Sequence, residues 1–520
     1  MKLLAHIPFC LLTLLLLIIG FNTYTDYGSP WDEYMQREMG RFNYNYVTSE
    51  NDSLLNWRCR DYGVVVELPL YVLEKKFTHE RYADTVFMRH LACFILFVVG
   101  VVFFYLVLIK LKFKPLLAFC GVLMLVVSPR IYGHAFINSK DIPLMVFYII
   151  AFYTLLRLIH KPNSKNVIIH AFTCALLIDT RITGIIMVPA SILFYILSVY
   201  QKSEHAVWHI IKFEARKTLL LFLIFNAVFV YIMWPYLWLN PIKNFVIAFL
   251  DMSQFPWKGL SLLFGEFIPS SETPWYFGFL WFIITTPVIY LALGLIGILS
   301  LFGNLFKASS NIFKRQAFIE MLMPFGLFAG PIFATILFKS VLYDTWRHLY
   351  FIYPFFIMMA CYGASFLLSK IKTNALQHIC VIPLLLYIGM LAHQMTQSFP
   401  HEYVYFNECI KSSDSYLREN FDLDYWGLSF RKGLEKILEK DTSDTIKITG
   451  NVFPYYSNYL LLTHMNQNCR LKYVLHEHEA DYYLTNYRYN PKDHSNHKDK
   501  EIYTIKYKNS ATMRLHNKVL

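Results

Sequence analysis

The chain has 520 residues, of which 56% are hydrophobic and only 16% are charged. Soluble domains carry roughly 25% charged residues, so this composition excludes an ordinary soluble protein and indicates a polytopic membrane protein. The net charge of +12 does not indicate nucleic-acid binding, because the basic residues form short clusters between apolar runs. Such clusters are typical of loops held at an anionic membrane surface.

Eleven apolar runs are long enough, or almost long enough, to cross a bilayer as helices. The predicted spans are residues 3–22, 86–109, 115–130, 142–159, 166–180, 182–200, 218–238, 276–302, 318–340, 348–369 and 375–396. The first run resembles a signal peptide, but no small-x-small cleavage site follows it, so we expect an uncleaved first span. The fifth and sixth runs are short, and partial spans that line a cavity are the alternative for them.

Basic clusters follow every even-numbered run. The positive-inside rule therefore predicts cytoplasmic loops at these places and a cytoplasmic N-terminus. The opposite face then receives a large loop, 23–85, the loops 131–141 and 239–275, and everything after the last run. Within the large loop, the amphipathic stretches Tyr34–Tyr46 and Val64–Phe77 predict helices that lie on the membrane surface.

The tail after residue 396 is polar and rich in tyrosine, which predicts a small extracytoplasmic α/β domain over 397–520 beside a transmembrane domain over 1–396. Its pattern predicts one helix, Leu428–Lys440, and four strands. The predicted strands are Thr445–Thr449, Lys472–His476, Asp481–Asn486 and Glu501–Lys506. Whether a disulfide joins two of the cysteines in the predicted outer segments stays open; these are Cys59, Cys409 and Cys469.

Two adjacent carboxylates, Asp32 and Glu33, follow the rigid pair Pro30-Trp31 close after the first span. An acid at a membrane interface, partly removed from water, is a competent general base. The alternative is an ordinary solvated acidic pair in a loop. We predict a catalytic role for both residues.

The loop between the third and fourth spans brings four ionisable residues, Arg130, His134, Lys140 and Asp141, into twelve positions on the same predicted face. A loop that only has to turn does not need them. They suit a phosphate anion, with the carboxylate left to orient a partner or to bind a divalent ion. The alternative is that the two basic side chains snorkel to the interface.

Charged residues also mark two other span ends. Asp179 and Arg181 interrupt the fifth and sixth runs, where charge is costly unless it faces a cavity or has a partner; pairing of the two with each other is the alternative. Arg347 and His348 precede the tenth run on the predicted outer face. A guanidinium can bind phosphate through two hydrogen bonds and an imidazole can hydrogen-bond it, so we predict phosphate binding by Arg347 and His348.

These motifs resemble the GT-C superfamily of polyprenyl-phosphate-sugar-dependent glycosyltransferases. The nearest likeness is to bacterial relatives of the protein O-mannosyltransferases and lipid A aminoarabinose transferases, which are similar to glycosyltransferase family 39. The architecture of residues 1–396 carries the resemblance. The matching motifs are Trp31-Asp32-Glu33, His134 with Lys140-Asp141-Ile142-Pro143, Thr180-Arg181-Ile182-Thr183-Gly184, Pro274-Trp275-Tyr276, Trp346-Arg347-His348, His401–Asn407 and Asp424–Gly427.

The resemblance implies an α-helical polytopic fold with about eleven transmembrane helices in a bacterial cytoplasmic membrane. It also implies an inverting transferase that uses a polyprenyl-phosphate-linked sugar, with a lipid, glycan or protein as acceptor. Asp32 would deprotonate the acceptor, and Arg347 and His348, with Arg181 or Lys140, would neutralise the departing phosphate. Asp141 would orient the acceptor or hold a divalent metal ion. Family members differ in metal dependence, so no cofactor is claimed.

Two other classes of function remain open. A transporter or flippase for lipid-linked sugars would need polar residues along several spans, and spans two, three, seven and eight carry almost no ionisable residues. A non-catalytic membrane scaffold would be indicated if Asp32, Asp141 and Arg347 did not converge. The sugar, the acceptor and the oligomeric state are not readable from the sequence.

Overall fold

The computed structural model describes residues 4–78, 81–203, 205–253, 257–306, 313, 315–411, 413, 415–492, 501–507 and 510–517. Helices dominate this part of the chain. The α-helices are α1 (Ile7–Thr23), α2 (Glu33–Val47), α3 (Ser53–Asn56), α4 (Glu67–Phe77), α5 (Tyr82–Lys110), α6 (Pro115–Val126), α7 (Pro129–Ile137), α8 (Asp141–His160), α9 (Ser164–Thr180), α10 (Met187–Lys202), α11 (Val207–His209), α12 (Arg216–Met233), α13 (Pro241–Ser253), α14 (Phe277–Thr285), α15 (Val288–Phe306), α16 (Gln316–Leu337), α17 (Tyr353–Ser369), α18 (Asn374–Ser398), α19 (Tyr416–Asn420), α20 (Ser429–Lys440) and α21 (Pro454–Met465).

The polytopic helical fold predicted from composition is confirmed, although with fewer spans than the eleven predicted. Among the described residues, eight helices are long and apolar enough to cross a membrane, or ten if each of two bent helix pairs forms one span. The remaining predicted span corresponds to α9, which has 17 residues and is therefore about 26 Å long. This helix packs against both α8 and α12, so protein rather than lipid surrounds much of it.

Two helix pairs bend sharply where proline removes a backbone donor. The axis turns by 64° between α6 and α7, which begins at Pro129, and by 119° between α14 and α15, which follows Pro287. The predicted loop 131–141 is therefore wrong in part, because most of it continues as the helix α7. The predicted eighth span, 276–302, is broken in its middle.

The tail residue Asn407 closes the break between α14 and α15. Its main-chain N–H donates to the carbonyl of Ile284 at 2.9 Å. Its side-chain amide donates to the carbonyls of Ile283 at 2.7 Å and Thr286 at 2.8 Å. A helix that stops inside a membrane leaves carbonyls without helical partners, and Asn407 supplies partners for three of them.

The two helices predicted in the large outer loop are present as α2 and α4, and they pack against each other at Gly40. A Cβ atom there would lie 2.5 Å from the carbonyl oxygen of Glu67. Before α4, the chain passes even closer to the end of α9, because a Cβ on Gly63 would lie 1.9 Å from the carbonyl oxygen of Asp179. Gly40 therefore allows α2 and α4 to pack closely, and Gly63 allows the loop 23–85 to lie against the end of α9.

The tail contains helices and one mixed sheet, as expected for the predicted small α/β region. The strands of the chain are β1 (Leu260–Leu263), β2 (Glu266–Pro269), β3 (Ile446–Gly450), β4 (Leu471–Tyr473), β5 (Tyr482–Thr485), β6 (Glu501–Tyr507) and β7 (Ser510–Asn517). The tail sheet has the order β4-β3-β5-β7-β6, with β3 parallel to β4 and β5, and β7 antiparallel to β5 and β6. The predicted helix and four strands correspond to α20 and β3–β6. The pattern did not indicate α21 or β7, and the domain boundary at residue 396 stays a prediction.

Hydrogen bonds hold the tail to the first outer segment. The Ser29 N–H donates to Asn458 Oδ1 at 2.9 Å, and the Asn458 amide donates back to the Ser29 carbonyl at 3.0 Å. The Tyr27 hydroxyl donates to the buried Glu402 carboxylate at 3.3 Å. No disulfide reinforces these contacts, because the three cysteines considered for one are all free thiols: Cys59, Cys409 and Cys469.

Candidate active site

A single guanidinium, that of Arg347, contacts three carboxylates. Its Nη1 lies 3.2 Å from Asp141 Oδ2 and 3.4 Å from Asp32 Oδ2, while its Nη2 lies 3.3 Å from Asp344 Oδ2. Arg347, Asp141 and Asp344 are buried, whereas the Asp32 side chain keeps 30% of its surface exposed. Asp32 is therefore the member of this cluster that a bound molecule can reach.

Asp141 also holds a second guanidinium. One carboxylate oxygen forms an ion pair with Arg181, and the other accepts from the Asn138 amide at 2.9 Å as well as from Arg347. Asp141 is the first residue of α8, where the positive end of the helix dipole stabilises an anion. The alternative pairing of Arg181 with Asp179 does not form; instead, Asp179 accepts a hydrogen bond from the Val64 N–H at 3.1 Å.

The contacts of Asp141 bear on its predicted metal-binding role. Both of its oxygens accept hydrogen bonds from Arg181, Arg347 or Asn138. A divalent ion at this carboxylate would have to displace a guanidinium and would then lie beside its positive charge. The residues around Asp141 therefore do not fit a metal ion, and the geometry favours a role in positioning the two arginines.

The turn at residues 344–345, which precedes Arg347, has a strained backbone. Asp344 and Thr345 both have left-handed backbone conformations, with φ of 51° and 68°, which are unfavourable for residues other than glycine. The Asp344 carboxylate offsets this cost by bridging two arginines, Arg347 and Arg488, of which the second is 2.7 Å away. Arg347 then opens a 3₁₀ helix that runs to Ile352, directly before α17.

A cavity of about 500 Å³ adjoins this cluster. Its polar end is formed by Arg181 and His348 together with Asp61, Tyr62 and Tyr343. The remaining walls are mostly apolar and come from the start of α10, from α13, from the end of α16 and from the 3₁₀ helix. Their apolar residues include Ile182, Ile185, Ile186, Val188, Pro189, Phe249, Met252, Pro331, Ala334, Phe338, Leu349 and Phe351. The cavity thus joins an apolar groove to a cationic end.

The fold has counterparts among known proteins. A family model described as dolichyl-phosphate-mannose-protein mannosyltransferase matches residues 83–234. The crystal structure of ArnT from Cupriavidus metallidurans bound to undecaprenyl phosphate aligns over 98% of both chains at 10% identity, with a TM-score of 0.50. The chain has the GT-C fold.

Other comparisons are weaker. ArnT from the same organism in the apo state aligns at 11% identity over 98% of both chains, with a TM-score of 0.49. The oligosaccharyltransferase of Archaeoglobus fulgidus in the apo form aligns over 90% of this chain at 12% identity, with a TM-score of 0.46. The chain spans 65% of the length of that oligosaccharyltransferase. No curated protein matches the chain.

Lys140 lies beside the polar end of the cavity. Its Nζ is 3.5 Å from the centroid of the Tyr62 ring, and Tyr62 lines the cavity. Burial and the nearby Arg181 guanidinium lower the pKa of the Lys140 ammonium to about 7. Asp32 and Asp141 act in the opposite direction. Lys140 is therefore a cation whose charge changes near neutral pH.

Glu33 does not share the Arg347 cluster with Asp32, although the two were predicted to act together. Its carboxylate is buried and forms an ion pair with Arg89 on α5. Arg89 Nη2 also donates to Glu67 Oε2 at 2.6 Å, and the Ser139 hydroxyl donates to Glu67 Oε1 at 2.6 Å. This buried network ties the starts of α2 and α4 to α5, so the geometry favours a positioning role for Glu33 over a catalytic one.

Arg130 and His134 do not line the cavity, and their predicted phosphate contact stays a prediction. They are four residues apart on α7 and therefore share one face of that helix, which contacts the tail. The Arg130 Nε–H donates to the Tyr405 carbonyl at 2.8 Å, and His134 Nε2 is 2.7 Å from the Tyr425 hydroxyl. Both side chains are buried in these contacts, which favours a role in docking the tail.

Two charged residues of the cluster, Asp344 and Arg488, were not predicted. The sequence could have indicated Asp344, because it precedes Arg347 by three residues and the two side chains can form an ion pair. Arg488 follows β5 in the tail, and no local pattern marks it. Its guanidinium lies over the Trp31 ring at 5.1 Å, so the tail reaches the residue next to Asp32.

Proposed function

We propose that the protein is an inverting glycosyltransferase that moves a sugar from a polyprenyl-phosphate donor to an acceptor at the outer face of the cytoplasmic membrane. The observation that carries the proposal is the cavity, in which an apolar groove ends at Arg181 and His348 beside the cluster of Arg347 and Asp32. The ArnT structure with undecaprenyl phosphate supports a donor of this chemical class.

The donor divides into two parts that match the two parts of the cavity. The polyprenyl chain is apolar and gains free energy by leaving water for the groove walls. The phosphate is an anion, and Arg181 can donate charge-assisted hydrogen bonds to it from the polar end. Arg347 is less available for this contact, because its guanidinium already faces Asp32, Asp141 and Asp344. Arg181 and His348 are therefore the residues proposed to bind the phosphate.

Asp32 is the proposed general base. It would accept the proton of an acceptor hydroxyl or amine, whose lone pair attacks the anomeric carbon while the bond from that carbon to the phosphate oxygen breaks. The phosphate leaves with the bonding electron pair, and Arg181 stabilises the charge that develops on it. Attack from the face opposite the phosphate inverts the anomeric configuration. Arg347 would hold the Asp32 carboxylate in place through the 3.4 Å contact.

The structural observations favour this proposal over the two alternatives. A scaffold has no need for Asp32, Asp141 and Arg347 to converge, yet their side chains meet at one guanidinium. A transporter needs a continuous polar passage, whereas the walls of the cavity beyond its polar end are mostly apolar. An apolar groove suits a lipid that stays bound while its head group reacts.

The test is complementation of a strain that lacks the gene. Mass spectrometry of cell-envelope glycans would identify the sugar that is lost and the lipid-linked donor that accumulates. We expect the wild type and D52N, which changes an exposed loop carboxylate, to restore the sugar. We expect D32N to insert normally and to transfer it about 10²–10⁴-fold more slowly, because a general base is lost. Full restoration by D32N would refute the role of Asp32.

A further inference from the structure

A second group of chemistry-bearing side chains lies between α10 and α12, away from the candidate active site. His205, His209 and Glu214 each offer one ligand atom, and these atoms all lie within 4.8 Å of one another. His205 Nδ1 is 3.0 Å from Glu214 Oε1, and the centroids of the two imidazole rings are 4.3 Å apart. The group follows the last residue of α10, a helix of 16 residues that is about 24 Å long and starts near Arg181.

An unusual piece of backbone brings these residues together. Residues Ile210–Glu214 form a π-helix, in which the Ala215 N–H donates to the Ile210 carbonyl at 2.8 Å. In an α-helix, positions 209 and 214 would diverge by about 140° around the axis. The wider π turn, with its i to i+5 hydrogen bonds, brings the fifth residue back toward the first. Such turns are rare and frequently occur at functional sites.

We propose that His205, His209 and Glu214 bind a divalent transition-metal ion of the Zn²⁺ type. Two imidazole nitrogens and one carboxylate form a ligand set that such ions accept, with water at the fourth position. Nitrogen ligands favour this class over Ca²⁺ and Mg²⁺, which prefer oxygen. The Ser203 hydroxyl donates to Glu214 Oε1 at 2.9 Å, and hydrogen bonds of this kind orient the ligating groups of metal sites.

The location gives the ion a structural consequence. Ser203 and His205 follow α10, whereas Glu214 lies two residues before Arg216, the first residue of α12. An ion held by all three ligands would therefore connect the ends of two helices across the loop between them. The predicted orientation puts this loop on the cytoplasmic side, opposite the candidate active site. The proposed ion would thus take no part in the proposed sugar transfer.

The experiment uses the full chain, purified in detergent without a polyhistidine tag and treated with a chelator. Co²⁺ is added as a spectroscopic probe, followed by Zn²⁺ as a competitor. We expect one equivalent of Co²⁺ per chain with the visible absorption of a four-coordinate site, lost on addition of Zn²⁺, together with a higher Tm. We expect H205A/H209A to lose this equivalent and H378A/H393A, which removes two exposed histidines elsewhere, to retain it.

The proposal is overturned if the wild type binds no more Co²⁺ than H205A/H209A does, or if H378A/H393A loses the same signal. Should H205A/H209A fail to fold, E214Q provides the second measurement. This variant keeps the size and polarity of the side chain, and we expect it to weaken Co²⁺ binding at least 10-fold. Unchanged Co²⁺ affinity in E214Q would equally overturn the site.

Discussion

Arg488 of the tail donates to Asp344 across 2.7 Å, and Asp344 in turn pairs with Arg347. The tail thereby contacts the charge cluster through the Asp344 carboxylate, and the ring of Trp426 also lies 5.2 Å from the Arg347 guanidinium. Arg488 also lies over the ring of Trp31, which precedes Asp32. This arrangement makes Arg488 a positioning residue for both the strained turn at 344–345 and the start of α2.

We expect R488A to reduce kcat more than it changes the KM for the donor. Arg488 does not line the cavity, but its removal leaves Asp344 with one buried partner fewer, which typically costs about 3–5 kcal/mol. R488K retains the charge, but an ammonium cannot reproduce the planar guanidinium, whose two terminal nitrogens donate to Asp344 and to the Tyr425 carbonyl. We therefore expect R488K to rescue activity in part. Steady-state kinetics and thermal unfolding in detergent would measure both effects. The exposed tail variant K472A is the control, and a wild-type kcat in R488A would contradict the prediction.

The pKa of Lys140 predicts that kcat/KM for the donor depends on pH. Its pKa of about 7 means that the ammonium is charged below pH 7 and loses its proton as the pH rises through 7. If Lys140 attracts the donor phosphate, then kcat/KM should fall with rising pH, since this ratio reports the free enzyme. We expect K140M to be slower than the wild type at low pH and equal to it at high pH. The exposed variant K75M should follow the wild-type profile, and parallel profiles for K140M and the wild type would contradict a role for this proton.

The groove predicts a steric block by a larger side chain. Ala334 on α16 lines the cavity, so A334W should fill space that a polyprenyl chain would occupy. We expect the affinity for undecaprenyl phosphate, measured by native mass spectrometry or calorimetry, to fall at least about 10-fold, which corresponds to 1.4 kcal/mol. F333W changes the neighbouring residue, whose side chain is exposed, and should bind as the wild type does. Equal affinity in A334W would place the lipid elsewhere.

The amide substitutions D32N and E33Q should have different effects, the first on activity and the second on stability. E33Q removes one charge from the buried network with Arg89 and Glu67, and loss of a buried partner costs about 3–5 kcal/mol. We therefore expect a lower Tm for E33Q. D32N should keep a nearly wild-type Tm, because its carboxylate is partly exposed, and should lose activity. An E33Q variant with wild-type Tm and no activity would contradict this prediction and support a catalytic role for Glu33.

The sequence predicted the elements that depend on local pattern. Apolar runs of sufficient length mark the spans, and even α9 lies at its predicted place. The GT-C fold that the resemblance implies is confirmed. The convergence of Asp32, Asp141 and Arg347 was anticipated as a condition for an enzyme, and the structure brings these side chains together. The membrane orientation and the catalytic roles stay predictions.

Long-range packing decided the residues that the sequence did not resolve. Asp32 and Glu33 are neighbours, yet only the position of Arg89 on α5 determines that Glu33 turns into a buried network. Arg130 and His134 share the face of α7 that contacts the tail, and no local pattern reveals which face that is. These outcomes depend on segments far apart in the chain, so propensity and spacing could not predict them.

The sealing of the α14–α15 break by Asn407 has a consequence for biogenesis. The carbonyls of Ile283, Ile284 and Thr286 accept hydrogen bonds from Asn407, which is synthesised more than a hundred residues later. Insertion of α14 and α15 alone therefore leaves the hydrogen bonding at their break incomplete. A chain that stops after α18 would leave these three carbonyls without the partners that Asn407 supplies, so docking of the first tail residues is a step in maturation of the membrane region.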